Sequence, residues 1–500
     1  MVDTTIAGED SHSLKTYWVL FTLISVLICL PVWSIEYVPL VDYPNHLARV
    51  YIVYHYDDVE AYRSMYDKLV EPIPNMAIDV IAPPLLKIFD VKIAGKIFLT
   101  ITLLLFSAGC HLLGRSIHGR PTWLALPCIF FSYNSMLLFG YVNYIFGLGA
   151  FLITFALWLK YRKRWNLKTT IIISSLVFAS YLAHLSSFTF LGVTFVAITF
   201  FDYLSAKSVT KNMIVGLIPL LPPLIAFRVF MKGSGRTGTL IWNTVYGKLT
   251  NSLILVTSYN YLLDGVIVVV ILLLLLVTAH HMKSLQVKWA ILVTGCILGV
   301  LFLACPSVIF TSAGADGRFI PPAVILTLMA LRFEVTKRVG KYALFLFLAV
   351  SLVRLGSICY EWISFDKKTA SQVEMFNHFE DGARVYPIIF LREDLRNFGK
   401  DKIERVIHHT IQYSTIYRHT FSPTFFGKRG RVLIVYKHEP QYIQLRAEIP
   451  PDEVDWEFIF DNYDYLWCYK INDSYAQYLK DRCKLVKADP NGFMIFRINT

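Results

Sequence analysis

The sequence predicts an α-helical polytopic membrane protein of about eleven spans followed by a small α/β domain, and three observations carry that prediction. Hydrophobic residues make up 55% of the chain and charged residues 17%, against about 25% charged in an average soluble protein; the mean hydropathy is +0.50. Apolar runs long enough to cross or nearly cross a bilayer recur as far as residue 360. From Glu361 the pattern turns to that of a soluble chain, which divides the sequence into 1–360 and 361–500. The formal net charge of +12 falls in short loops between apolar runs, so it reads as membrane topology and not as a nucleic-acid footprint.

The first run, residues 17–35, has no small-residue cleavage site behind it and reads as a retained anchor. Further runs lie at 92–114, 121–139, 141–159, 169–184, 186–203, 212–230, 262–280, 287–305, 319–333 and 341–360. The stretch near 73–90 is broken by prolines and carries Asp79 and Lys87, so it belongs to the first long loop as an interfacial or re-entrant piece. With the N-terminus in the cytoplasm, loops 114–120, 160–168, 205–211, 280–288 and 332–341 are cytoplasmic, and each is basic. Loops 36–91, 231–261 and 306–318 then lie outside with the C-terminal domain, and they are poorer in Lys and Arg for their length. Residues 233–260 are glycine-rich and then amphipathic, a pattern for a lid, an interfacial helix or a plain connector.

After residue 361, strands at about 383–390, 431–437 and 463–469 and a hairpin around the turn at 489–492 alternate with helices at 392–406 and 473–482. Such alternation predicts an α/β domain. It holds no glycine-rich phosphate loop and no catalytic Ser or Cys motif. The eight cysteines form no CxxC pair, which speaks against a zinc site; Cys468 and Cys483 could bridge in an exported domain.

Chemistry concentrates in VPLVDYPNHLARV, residues 38–50. Asp42 just before Pro44 is a helix-start signal, and a helix there puts His46 and Arg49 within about one turn of each other. The plain alternative is that Asp42 only caps the helix while His46 and Arg49 face water. Asp57, Asp58, Asn143, His184, Arg236, Asp264, Asp316 and Arg318 fall at the same outer face, and Arg354 in the outer half of its span. Charges near hydrocarbon cost a few kcal/mol each, so such residues usually face a cavity or a partner. A carboxylate among outward arginines suits transfer from a lipid phosphate: a base takes the acceptor proton while cations hold the departing phosphate. Asp42 fits the base, and Arg318 in DGRFIPP fits the clamp. Arg49, Arg236, Arg354 and Asp316 complete the substrate-binding candidates, with snorkelling or an ion pair as the alternative for each arginine. A divalent metal would use Asp42 and His46 at i, i+4, two ligands too few to specify one; His46 serves equally to orient or share a proton with Asp42.

The architecture of residues 17–360 resembles that of the GT-C superfamily of polytopic glycosyltransferases, with a long first outer loop after the first span, an acid near its start and a later large outer loop. The segments YVNYIFGLGAFLITFALWL (141–159) and DGRF (316–319) look like those of bacterial members that carry a C-terminal soluble domain. Where that family often shows two neighbouring acids, this chain has Asp42 followed by Tyr43. The resemblance implies an integral protein of a bacterial inner or plasma membrane. It would move a sugar from a polyprenyl-phosphate donor to a glycan, lipid or protein acceptor hydroxyl on the extracytoplasmic side, by inversion, with Asp42 as base. A transporter or lipid flippase and a non-catalytic scaffold are the rival readings.

Overall fold

The computed structural model describes residues 4–230, 239–310, 312–335, 337–390, 401–430, 432–445 and 447–499. Arg236, and part of the helix expected at 392–406, lie outside the described residues. The protein is a polytopic helical membrane protein that ends in a sheet-containing domain. Among the described residues, seven helices are long and apolar enough to cross a membrane, and four shorter apolar helices accompany them. Each of these eleven segments falls on one of the apolar runs of the sequence.

Run 121–139 is not one helix. It divides into Ala125–Ile129, a 3-10 turn at Phe130–Ser132 and Ser135–Leu138. Asn134 restarts the chain by accepting the N–H groups of Met136 and Leu137, a local competition that side-chain amides win against helix continuity. The prolines of 73–90 also act as expected: only the short helix Ala77–Ile81 and the 3-10 turn Pro83–Lys87 form there.

Contacts sort the loops into two ends of the bundle. At one end the strands Met282–Val287 and Leu331–Val335 pair antiparallel, His118 bonds the Met329 carbonyl, and Asn212 donates to the Lys163 carbonyl. At the other end Met76 N–H donates to Leu182, Ser307 N–H to Ile241, and the Tyr144 hydroxyl to the Arg318 carbonyl. The basic loops of the sequence thus keep company with one another.

The last long helix, Lys337–Met375, runs without a break through residue 361. Beyond the apolar stretch its Asp366 carboxylate accepts the N–H groups of Glu36 and Tyr37, which fixes the start of the first loop. The domain that follows is built on a four-stranded sheet. Tyr465–Tyr469 lies between a parallel partner, Val385–Ile389, and an antiparallel one, Phe493–Ile498, with Cys483–Ala488 outermost. Phe493–Ile498 separates the strands of Cys468 and Cys483, and all eight cysteines are free.

Between its first two strands the chain leaves the sheet and descends onto the first loop. There Ile407–Thr410 and Gln412–Arg418 pack against the helix Tyr43–His55. Strand Ile434–Tyr436 does not join the sheet; it pairs antiparallel with Tyr66–Lys68 of the first loop. The Tyr62 hydroxyl donates to the Thr415 carbonyl at 2.6 Å, so side chains reinforce the ladder.

Candidate active site

Asp42 occupies the N-cap position of the helix Tyr43–His55, with Pro44 in the first turn as the sequence predicts. Its side chain accepts none of the first helical N–H groups, so the carboxylate is not used as a cap. The backbone is held instead by the turn 138–141: Val41 N–H donates to Leu138 and Asp42 N–H to Phe139. Gly140 allows this close approach. It has φ +85°, and a Cβ there would stand 2.5 Å from the Asp42 nitrogen. Gly140→Ala is therefore expected to cost about 1–3 kcal/mol and to displace Asp42, measured as a lowered melting temperature in detergent.

One-fifth of the Asp42 side chain remains exposed. Burial raises its pKa to about 7, against the opposing pull of the Arg318 and Arg49 guanidiniums. Arg318 begins the helix Ile320–Ala330 from the 3-10 turn Gly317–Phe319. It donates to Ser312 Oγ at 3.0 Å and to the Ala313 carbonyl at 3.1 Å, and its guanidinium lies 5.3 Å over the Tyr141 ring. Its Nε is buried with no hydrogen-bond partner among the described residues. A buried donor left unpaired is costly, and it marks a place where a ligand acceptor would be favoured.

The helix brings His46 and Arg49 together as predicted, but turns both inward. Arg49 is 1% exposed and forks onto Asp79 at 2.6 and 3.0 Å, while its Nη2 donates to His46 Nδ1 at 2.8 Å. A guanidinium only donates, so His46 Nδ1 is an acceptor and Nε2 carries the proton of the neutral ring. Burial and the adjacent Arg49 hold this imidazole well below its usual pKa. With Nδ1 accepting from Arg49 and the ring proton on Nε2, His46 has no free lone pair to offer a metal beside Asp42. Among the described residues no group of three or more His, Cys, Asp or Glu side chains is gathered to hold an ion.

The imidazole that does face Asp42 is His409, which the sequence did not single out. Its Nε2 lies 3.6 Å from Asp42 Oδ1, and burial lowers its pKa to about 3. Asn45, one turn into the Asp42 helix, bonds His409 Nδ1 at 2.7 Å and accepts the N–H of Phe426 at 3.0 Å. Arg405 stands over the Phe139 ring at 6.0 Å, and Phe139 stacks on Tyr141.

Asp316 is fully buried. It accepts Lys248 Nζ at 2.8 Å, Asn243 Nδ2 at 3.1 Å and Gly317 N–H at 2.8 Å, pinning the segment 243–248 to the DGRF turn. Arg354 donates to the Val256 and Tyr133 carbonyls, with Asp264 at 3.9 Å, and shares none of these partners with Asp42. Asn143 spends its amide on Ile78 N–H and the Asn75 carbonyl; His184 accepts Ser186 N–H and caps a helix.

The fold is similar to that of ArnT from Cupriavidus metallidurans. That structure, a complex with undecaprenyl phosphate, aligns over 96% of this chain and 98% of its own with a TM-score of 0.53 at 11% sequence identity. The likeness extends through the C-terminal domain as well as the bundle. No protein-family model matches the sequence, and no curated protein matches it.

Proposed function

We propose that this chain is an integral-membrane glycosyltransferase that moves a sugar from a polyprenyl-phosphate donor to the hydroxyl of a glycan, lipid or protein acceptor. The observation that carries the reading is a desolvated carboxylate, Asp42, beside a guanidinium, Arg318, that keeps a buried N–H unused. The fold shared with a protein solved with undecaprenyl phosphate supports a lipid-phosphate donor. Loop charge supports an extracytoplasmic site.

In this mechanism Asp42 takes the proton from the acceptor hydroxyl as its oxygen attacks the anomeric carbon. The bond from that carbon to the phosphate oxygen breaks with its electron pair, and configuration inverts. The lipid phosphate leaves with one more negative charge, which Arg318 stabilises where water is excluded. Arg49 and His46 touch neither reactant; they fix the helix that presents Asp42.

The test is transfer of radiolabelled sugar from a panel of polyprenyl-phosphate sugars by the purified full-length protein, together with binding of undecaprenyl phosphate. Arg318→Ala is expected to weaken lipid-phosphate binding about tenfold or more, with Arg318→Lys recovering part of it. Absence of transfer from every donor, with lipid binding indifferent to Arg318, would overturn the assignment and favour transport or scaffolding.

A further inference from the structure

His408 and His409 lie on a segment that belongs, in sequence, to the C-terminal domain, yet His409 is found against Asp42. The hydrogen bonds fix which way this imidazole works. Phe426 N–H donates to Asn45 Oδ1, so that oxygen is the acceptor and Asn45 Nδ2 is the donor. Nδ2 faces His409 Nδ1 at 2.7 Å, which makes Nδ1 the acceptor and leaves the ring proton on Nε2. Nε2 lies 3.6 Å from Asp42 Oδ1. At that separation the contact is electrostatic, a donor dipole beside the carboxylate, and it exists without substrate.

We infer that His409 is a positioning residue for the proposed base, a neutral donor delivered by the C-terminal domain and locked in one tautomer by Asn45 and the Phe426 backbone. The inference rests on the reading of Asp42 as base. His409 does not take the acceptor proton, because its only free polar atom already carries one. Its dipole favours Oδ1 on its own side, which leaves Oδ2 for the acceptor, and it stabilises the ionised form. The arrangement has the logic of a third group orienting a base, with the base here the carboxylate and the orienting group the imidazole.

Asp42 is also within electrostatic reach of the guanidiniums of Arg49 and Arg318 and of the Tyr141 hydroxyl, which Arg405 also influences. Both arginines favour the carboxylate, so the contribution of His409 must be isolated by substitution. The measurement is the infrared band of the protonated Asp42 carboxyl, assigned by its loss in Asp42→Asn, titrated in the full-length protein. It needs no substrate, so it stands even where no donor supports transfer. His409→Phe keeps the ring volume and removes the donor; the midpoint is expected to rise by about one pH unit, a tenfold loss of ionised carboxylate on the acid side. His409→Gln, whose amide N–H reaches the same place, is expected to return it toward the wild-type value. Asn45→Ser releases the tautomer lock with the imidazole in place and provides the same reading where His409→Phe does not fold, again with a raised midpoint. In an active preparation the acid limb of the rate profile should follow these midpoints. A midpoint that neither His409→Phe nor Asn45→Ser moves would overturn the role of His409. No transfer from any donor, with the midpoint moved, would overturn the transferase reading and keep the contact.

Discussion

Asp42→Asn is expected to lower transfer by about 10²–10⁴-fold, the loss typical of a missing general base, while leaving the protein more stable above neutral pH. The second half follows from linkage. The Asp42 carboxyl is raised from 3.8 to about 7 by burial, so between those values the unfolded chain has released a proton that the folded chain still holds. Folding stability therefore falls as pH rises from about 4 to 7 and is lowest above that window. Asn carries no charge and escapes the penalty, so its melting temperature should match the wild type at pH 4 and exceed it at pH 8. In the wild type the rate should rise with pH through about 7 as the base ionises. A variant that loses transfer and also melts earlier at pH 8 would show that Asp42 serves folding and not proton transfer.

The second large effect belongs to stability. Arg49 and Asp79 form a bidentate pair at 2.6 and 3.0 Å, with the Arg49 and Asp79 side chains 1% and 0% exposed. Removing one partner leaves the other buried and unpaired, at a cost of about 3–5 kcal/mol. Arg49→Met is expected to show this loss in thermal or denaturant unfolding. Asp79→Leu added to Arg49→Met should recover most of it, because a buried ion pair exchanged for apolar side chains is often near neutral. Independent, additive costs from the two substitutions would mean that the pair is not coupled.

The bundle was legible because crossing hydrocarbon demands long apolar runs, and nothing in this sequence mimics them. What the runs do not encode is interruption. The break in 121–139 depends on Asn134 capping in place and on Arg354 reaching the Tyr133 carbonyl from the last long helix. Asp42 was legible from the Asp-Tyr-Pro start of its helix, and the meeting of His46 with Arg49 from helical spacing. Their partners were not. Asp79 was assigned to an interfacial piece with no reason to pair it to Arg49, and Asp316 gives no local sign that Lys248 would claim it. His409 had the weakest signal of all, one of two adjacent histidines in a segment expected to stay within a separate domain. The strand expected at 431–437 forms at Ile434–Tyr436, but its sequence does not reveal that its partner, Tyr66–Lys68, lies in the first loop.

That last pairing bears on how the molecule is made. The strand Tyr66–Lys68 is synthesised before nearly all of the spans and its partner Ile434–Tyr436 after all of them. Until the ribosome has finished the bundle, the early strand has an unsatisfied edge and the helix of Asp42 lacks its cover. Closure of so long a loop carries an entropic cost, and this end of the molecule is completed only after the bundle has been synthesised. A nascent chain halted before residue 409 would carry every membrane helix and the Asp42 carboxylate, and still present an open, unfinished pocket.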